Sequence, residues 1–595
     1  MPSHSNSFGN NAEKDTAGCR ASDRKYIVIG KKKVRESGMA QNSWGLYYPR
    51  PQLRRASFFP LNRGWRLNGR PIQAPWPPQA LLSGWTGDVG DVLRYETAFT
   101  LPEDFVPQGH RVLLHFGAVD QVAEVWLNGV SVTRHEGGYL PFSADVTEAL
   151  CKGENRLEVK AVDALSHDYP YGKQHKRPHG MWYTPVSGIW QPVWLEAVPA
   201  TGSVKSVRLT PDLTGVTVEV DAGGAEYNLA VPLGNGKLLT TAGKDSPLRL
   251  EIPEPHLWTT DDPYLYAMTV ATSTDRVESY FALRTVTARE INGHTRLCLN
   301  GEPVFLHGVL DQGYFEDGLF LPRDPEEYGA DVTRMKELGF NTLRKHIKVE
   351  PEAFYYACDR RGMLVVQDMV NSGEYRYVRD TVIPTFLSKK RNDVGRGGGE
   401  QRKAFFERHC LDTVAHLYNH PCVIGWTIFN EGWGQYDSDR IYRLLKPADP
   451  TRFFMSTSGW FAQRESDVQS EHVYFNSRVL EGDQPGKFLF LSECGGFSRR
   501  VEGHVAGDRK NYGYGEQARS EAELTRRIQD MYGDMVLPSI PRGLCGCIYT
   551  QLSDVEGETN GLYTYDRQVR KVEPGAIRGI AAQVRQSLEK AVENG

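Results

Sequence analysis

The chain has no run of about 18 consecutive apolar residues, so it offers no transmembrane helix. It has no excess of basic charge either. Its 70 Lys and Arg residues face 74 Asp and Glu, a formal net charge of −4 that excludes a basic nucleic-acid coat. The opening stretch MPSHSNSFGNNAEKDTAG lacks the apolar segment of a secretory signal. Cysteine is sparse and unpatterned: nine residues, irregularly spaced, several inside apolar runs such as Cys422 in PCVIGW. An odd number without regular spacing reads as buried free thiols in a reducing compartment, not as a disulfide framework. Cys545 and Cys547 share one strand face, but no second Cys or His pair follows, so no metal site is expected there. These absences point to a cytoplasmic protein with no membrane or nucleic-acid partner.

What is present is length and β-rich text. At 595 residues the chain exceeds one hydrophobic core, and aromatics reach 11%, which suits sandwich cores or sites that stack flat ligand faces. Residues 1–44 read as a polar, disordered leader with a basic patch at Lys31, Lys32 and Lys33. Residues 45–200 carry short alternating runs such as RVLLHFGAVD and AEVWLNGVSV, with Asn128-Gly129 as a hairpin turn, and predict a jelly-roll β-sandwich. Residues 201–288 repeat the all-β rhythm in under 100 residues, as an immunoglobulin-like β-sandwich would. From 289 to 595 eight strand-like runs alternate with helical ones, the pattern of a (β/α)8 TIM barrel.

In such a barrel the chemistry sits where strands end. Glu431 closes the fourth strand in IGWTIFNEGWGQ and Glu493 the seventh in FLFLSECGGFS. Those strands face each other across the barrel mouth, so the two carboxyls are expected within the ~5–5.5 Å that retaining glycoside hydrolysis needs. One must be protonated to serve the leaving oxygen and the other ionised to attack the sugar. A lone strand-end glutamate is often only a loop anchor; two on these strands, with Asn430 before one of them, weaken that reading. Trp433 and Trp460 sit in strand-end loops, where they either stack on sugar faces or merely cover the barrel. Strand alternation puts His472 and Tyr474 on one face, at the mouth.

The chain resembles the glycoside hydrolase family 2 enzymes, the β-galactosidase, β-glucuronidase and β-mannosidase group, over about residues 55–590. The matching text includes VWLNG, GIWQPVWLE, LNGEPVFLHGV, MKELGFNTLR, HPCVIGWTIFNEGWGQ, FLSECGG and DVEGETNGLYTYDRQVRK. The resemblance implies Glu431 as acid/base and Glu493 as nucleophile. It further implies Asn430 on the sugar 2-hydroxyl, Arg344 holding Glu493 ionised and Tyr474 orienting it.

Departures bear on the substrate. LHGVLDQGYF, with Asp311 and Gln312, and KHIKVEP, with His346 and Lys348, replace the β-galactosidase loops after the first two strands. The magnesium ligands of large β-galactosidases are not evident, Asp368 included, so neither metal nor cofactor is expected. Glu558, Thr559 and Asn560 stand where β-glucuronidases clamp the sugar carboxylate, and an acidic Glu558 would repel a uronate. Tyr549 stands for the usual eighth-strand Trp and is expected beneath the sugar. The expected partner is therefore a non-reducing-end β-galactoside, pyranose or furanose, or an α-L-arabinofuranoside. The alternatives are a β-glucuronidase and a non-catalytic carbohydrate-binding protein on the same frame. By analogy with relatives, a homo-oligomer remains open. The long segments 374–401, 498–517 and 166–185 are expected to wall the pocket and restrict it to chain ends.

Overall fold

The computed structural model describes residues 43–593 except 235, 245–246, 387–390, 397 and 508–510. Positions 1–42 of the predicted leader, with their basic patch, lie outside the described residues. At its last position, Trp44 is buried and its indole donates to the Pro322 carbonyl at 3.0 Å, so the chain is already packed on the barrel there.

The first sandwich pairs an antiparallel four-stranded sheet, running Phe59–Pro60, Val193–Pro199, His110–Phe116, Phe142–Asp145, with a six-stranded one. In the latter, Val92–Thr100 and Glu154–Val162 alternate buried with exposed or half-buried residues, as a sheet with one face on a core requires. Their inward residues, Leu93, Tyr95, Leu157 and Val159 among them, share a core with Val112 and Leu114 of the facing sheet. Asn128 and Gly129 take φ of 52° and 80° between Val122–Leu127 and Val130–Glu136, the left-handed pair a two-residue hairpin demands. The second sandwich packs a three-stranded sheet on a four-stranded one around Val216, Val218, Leu229 and Val270. It has the immunoglobulin-like arrangement.

Eight parallel strands follow: Leu306–Asp311, Thr342–Lys345, Leu364–Asp368, Val423–Asn430, Phe453–Ser458, Val468–Val473, Phe488–Gly495 and Leu544–Thr550. They neighbour one another in the order five-four-three-two-one-eight-seven-six. The fifth and sixth meet through the Asp467 amide and the Phe454 carbonyl at 3.0 Å, which nearly closes the barrel. Every residue of the fourth, seventh and eighth strands is buried, as expected where helices cover the outside and side chains fill the inside. The helix Glu326–Glu337 shows how the outer layer docks: Tyr328, Val332 and Met335 are buried at helical spacing. Among the described residues no helix is long and apolar enough to cross a membrane.

Candidate active site

Arg344 organises the barrel mouth. It lies next to the end of the second strand, pointing inward and fully buried, and its guanidinium touches four side chains on four strands, together with the Ser492 carbonyl at 3.0 Å. Nε and Nη2 grip Asp368 at 3.0 Å each, Nη1 reaches Glu493 Oε1 at 2.9 Å, and Nη2 reaches Asn430 Oδ1 at 2.8 Å and Ser458 Oγ at 2.9 Å. Burial alone would lower the Arg344 pKa; the Asp368 and Glu493 carboxylates outweigh it and raise the value. Burial likewise opposes ionisation of Asp368, yet Arg344 and His346 bring its pKa below the ordinary 3.8.

That coupling predicts a pH signature. Arg344→Gln should destabilise the fold by about 3–5 kcal/mol at pH 7, because it leaves neighbouring buried carboxylates without a counter-charge. A carboxyl with a depressed folded pKa contributes stability above its unfolded value, near 3.8, and loses it as pH falls through the lower folded value. The gap between variant and wild type in urea midpoint should therefore narrow from pH 7 to about pH 3. A constant gap would contradict the coupling.

The two glutamates stand close together. An oxygen of Glu431, a ring nitrogen of His472 and an oxygen of Glu493 all lie within 4.8 Å of one another. Glu431 is 9% exposed and Glu493 4%, so both carboxyls are nearly enclosed. Glu493 accepts from Arg344 on one oxygen and from the Tyr474 hydroxyl on the other. The Tyr474 ring stacks on Tyr514 with centroids 3.9 Å apart. Gly496, at φ 72°, permits this, since a Cβ there would sit 2.3 Å from the Tyr514 ring. Burial, then the Glu493 charge, pushes the Tyr474 phenol pKa well up, so it stays a donor.

Glu431 sits just past its strand with φ of 51°, a left-handed conformation uncommon for a non-glycine residue, held by its amide on the Ser458 carbonyl at 3.1 Å. His472 Nδ1 is 2.8 Å from Glu431 Oε1 and its Nε2 2.8 Å from Ser458 Oγ. Ser458 Oγ is also 2.9 Å from Asn430 Oδ1, an atom that can only accept. With the Ser458 hydrogen directed to Asn430, His472 Nε2 must donate to Ser458. The contact between Nδ1 and Glu431 then holds one more proton, on either the carboxyl or the ring. Glu493, paired with the Arg344 guanidinium, thus faces a Glu431–His472 pair that holds a transferable proton, an arrangement able to give a proton and form a covalent bond at adjoining atoms.

The structure departs from several sequence expectations. Lys348 does not reach the carboxylates: it donates to the Phe320 carbonyl at 2.8 Å and to Glu350 Oε1 at 2.8 Å. Asp311 pairs with Lys345 at 2.6 Å in the same buried network, which Glu350 completes, so both residues brace the loops under the site. Burial brings the Lys348 pKa down to about 8. Tyr549 is also misplaced in the expectation. The odd-even alternation of the eighth strand turns it outward, against Gly495 and Met531 of the helix layer, while Thr550 lies 3.3 Å from the Tyr474 hydroxyl. Trp433 is 2% exposed and stacks on Trp182 at 5.3 Å, so it forms a wall and no open platform. His346 is near the site, its Nδ1 2.9 Å from Asp368 Oδ2.

Glu431, His472 and Glu493 are also the one group with metal-ligand spacing among the described residues. Their facing atoms already serve Arg344, Tyr474 and one another, and a cation there would compete with the Arg344 charge. The site's own bonding therefore favours protons over a metal.

Sequence reasoning missed Ser458 and Thr550, and gave Tyr514, Lys173 and Tyr183 only within segments expected to wall the pocket. The sandwich insertion does cover the mouth. The Tyr171 hydroxyl donates to the Gly373 carbonyl at 2.9 Å, the Tyr183 hydroxyl donates to Glu558, and the Thr184 amide donates to Glu556 at 2.9 Å.

Known proteins share this architecture. The description "Glycosyl hydrolase 2 galactose-binding domain-like" matches residues 88–190, "Glycosyl hydrolases family 2" matches 201–284, and "Glycosyl hydrolases family 2, TIM barrel domain" matches 290–481. A protein of Formosa agariphila named putative beta-glucuronidase is 26% identical over 60% of this chain and 33% of its own length. A beta-galactosidase of Thermoanaerobacter pseudethanolicus is 25% identical over 65% of this chain and 51% of its own. The chain thus spans a third to a half of these relatives. A solved structure of beta-D-glucuronidase from Dictyoglomus thermophilum superposes with a TM-score of 0.72 at 18% identity, covering 90% of this chain and 98% of that one, a likeness of fold. Three consecutive matches in the order sandwich, sandwich, barrel leave one conclusion: the chain belongs to glycoside hydrolase family 2.

Proposed function

We propose that this protein is an exo-acting retaining β-glycosidase. The observation that supports it is the pairing of Glu493, held by Arg344, with Glu431, bonded to His472, within 4.8 Å. That spacing suits a covalent intermediate, since an inverting pair needs roughly 6.5–9.5 Å to admit water. In the first step a Glu493 oxygen bonds the anomeric carbon while the bond to the aglycone oxygen breaks, and that oxygen takes the proton shared by Glu431 and His472. In the second, Glu431 removes a proton from water, whose oxygen displaces Glu493 from the sugar. The family resemblance assigns Asn430, whose Oδ1 is held by Arg344 and Ser458, to the sugar 2-hydroxyl.

The preferred glycon is a β-galactoside, pyranose or furanose, or an α-L-arabinofuranoside. β-Glucuronidase is the second reading, since relatives carry both names. Against it stands Glu558: its oxygens already accept from the Tyr183 hydroxyl and the Asn560 amide, and its charge opposes a uronate. A panel of 4-nitrophenyl glycosides should show turnover of one of the neutral sugars above the glucuronide. Turnover of the glucuronide alone would reverse the preference, and turnover of none would favour the non-catalytic carbohydrate-binding reading.

A further inference from the structure

Lys173 stands at the mouth on a firmly held backbone. Its carbonyl accepts from the Tyr183 amide at 2.9 Å, and the next residue, Gln174, donates to the Tyr139 hydroxyl at 3.1 Å and accepts from the Val186 amide at 2.6 Å. The side chain is 9% exposed, with Nζ 5.7 Å from the Tyr183 ring centroid and 5.9 Å from that of Trp433. Among the described residues Nζ has no hydrogen-bond acceptor or ion-pair partner. An ammonium at the mouth, flanked on the protein side by aromatic rings, has room for an acceptor from outside the chain.

His346 lies nearby. After burial, the Lys173 charge is the next cause of its pKa falling to about 3. Its Nδ1 faces Asp368 Oδ2 at 2.9 Å, and an ionised carboxylate can only accept. The ring proton is therefore on Nδ1, and Nε2 is an acceptor with no partner among the described residues.

We propose that Lys173 Nζ and His346 Nε2 together select one hydroxyl of an uncharged sugar in the pocket. A hydroxyl satisfies both groups, accepting from the ammonium and donating to the imidazole. A carboxylate at that place satisfies the ammonium only and sets its lone pairs against those of Nε2. The inference rests on the glycosidase reading and narrows its substrate class. It also makes the sandwich insertion part of the sugar pocket.

The test is binding, measured by calorimetry on the full chain carrying Glu493→Gln, so that substrates persist. The probes are 4-nitrophenyl β-D-galactopyranoside, β-D-galactofuranoside, α-L-arabinofuranoside and β-D-glucuronide. At least one neutral probe should bind more tightly than the glucuronide. Lys173→Met should weaken that probe at least about tenfold, with Lys173→Arg recovering part of the loss. His346→Ala added to Lys173→Met should cost less than it does alone, because both act on one hydroxyl. A smaller loss, additive losses, or a glucuronide that binds best and suffers most from Lys173→Met would each overturn the inference. Reaction of the wild type with a 2-deoxy-2-fluoro glycosyl fluoride separates the two failures. Labelling of Glu493 together with an insensitive Lys173 removes this inference alone, whereas neither labelling nor binding removes the glycosidase reading as well.

Discussion

Glu493→Gln should lower kcat by on the order of 10⁴-fold or more while leaving the fold in place. The amide keeps an oxygen for Arg344 Nη1, and Arg344 retains Asp368, Asn430 and Ser458, so the guanidinium is not stranded. What disappears is the charged oxygen that would bond the anomeric carbon. Mass spectrometry after incubation with a 2-deoxy-2-fluoro glycosyl fluoride should find an adduct on Glu493 in the wild type and none in the variant. An adduct on a different residue would sink the assignment.

Glu431→Gln should act differently on different leaving groups. Substrates with poor leaving groups, such as disaccharides, should lose about 10²- to 10⁴-fold in kcat/KM, the usual contribution of a positioned proton donor. A 2,4-dinitrophenyl glycoside departs without protonation and should retain most of its kcat/KM. Its kcat should fall instead, because the intermediate now waits for water without a base. Added azide, which needs no deprotonation, should restore turnover and appear in the product as a glycosyl azide. Equal loss for both substrates would contradict the acid role and, with it, the proton placed between Glu431 and His472.

The fold was largely legible because its signals are local. Period-two alternation marks Val92–Thr100, continuous burial marks Val423–Asn430, and the Asn128-Gly129 turn needs no tertiary information. Strand ends locate Glu431 and Glu493 for the same reason. Side chains that act across elements were harder to read. Lys348 looks like a pocket cation in KHIKVEP, and only the structure shows Glu350 two residues on drawing it under the loops. Tyr549 against Thr550 is a matter of one position in the eighth strand, and a shift of one residue exchanges inside for outside. Tyr514 and Lys173 come from long loops with no periodicity, so no pattern announces them.

The insertion that crosses from the first sandwich onto the barrel carries an evolutionary corollary. Tyr171, Lys173, Tyr183 and Thr184 reach the mouth from a segment that lies outside the barrel's own strands and helices. Preference for a sugar can thus be rewritten by editing a surface excursion of a neighbouring module, leaving the acid pair untouched. By the same token, removing that excursion would unroof the cleft while leaving Glu431 and Glu493 on their barrel strands.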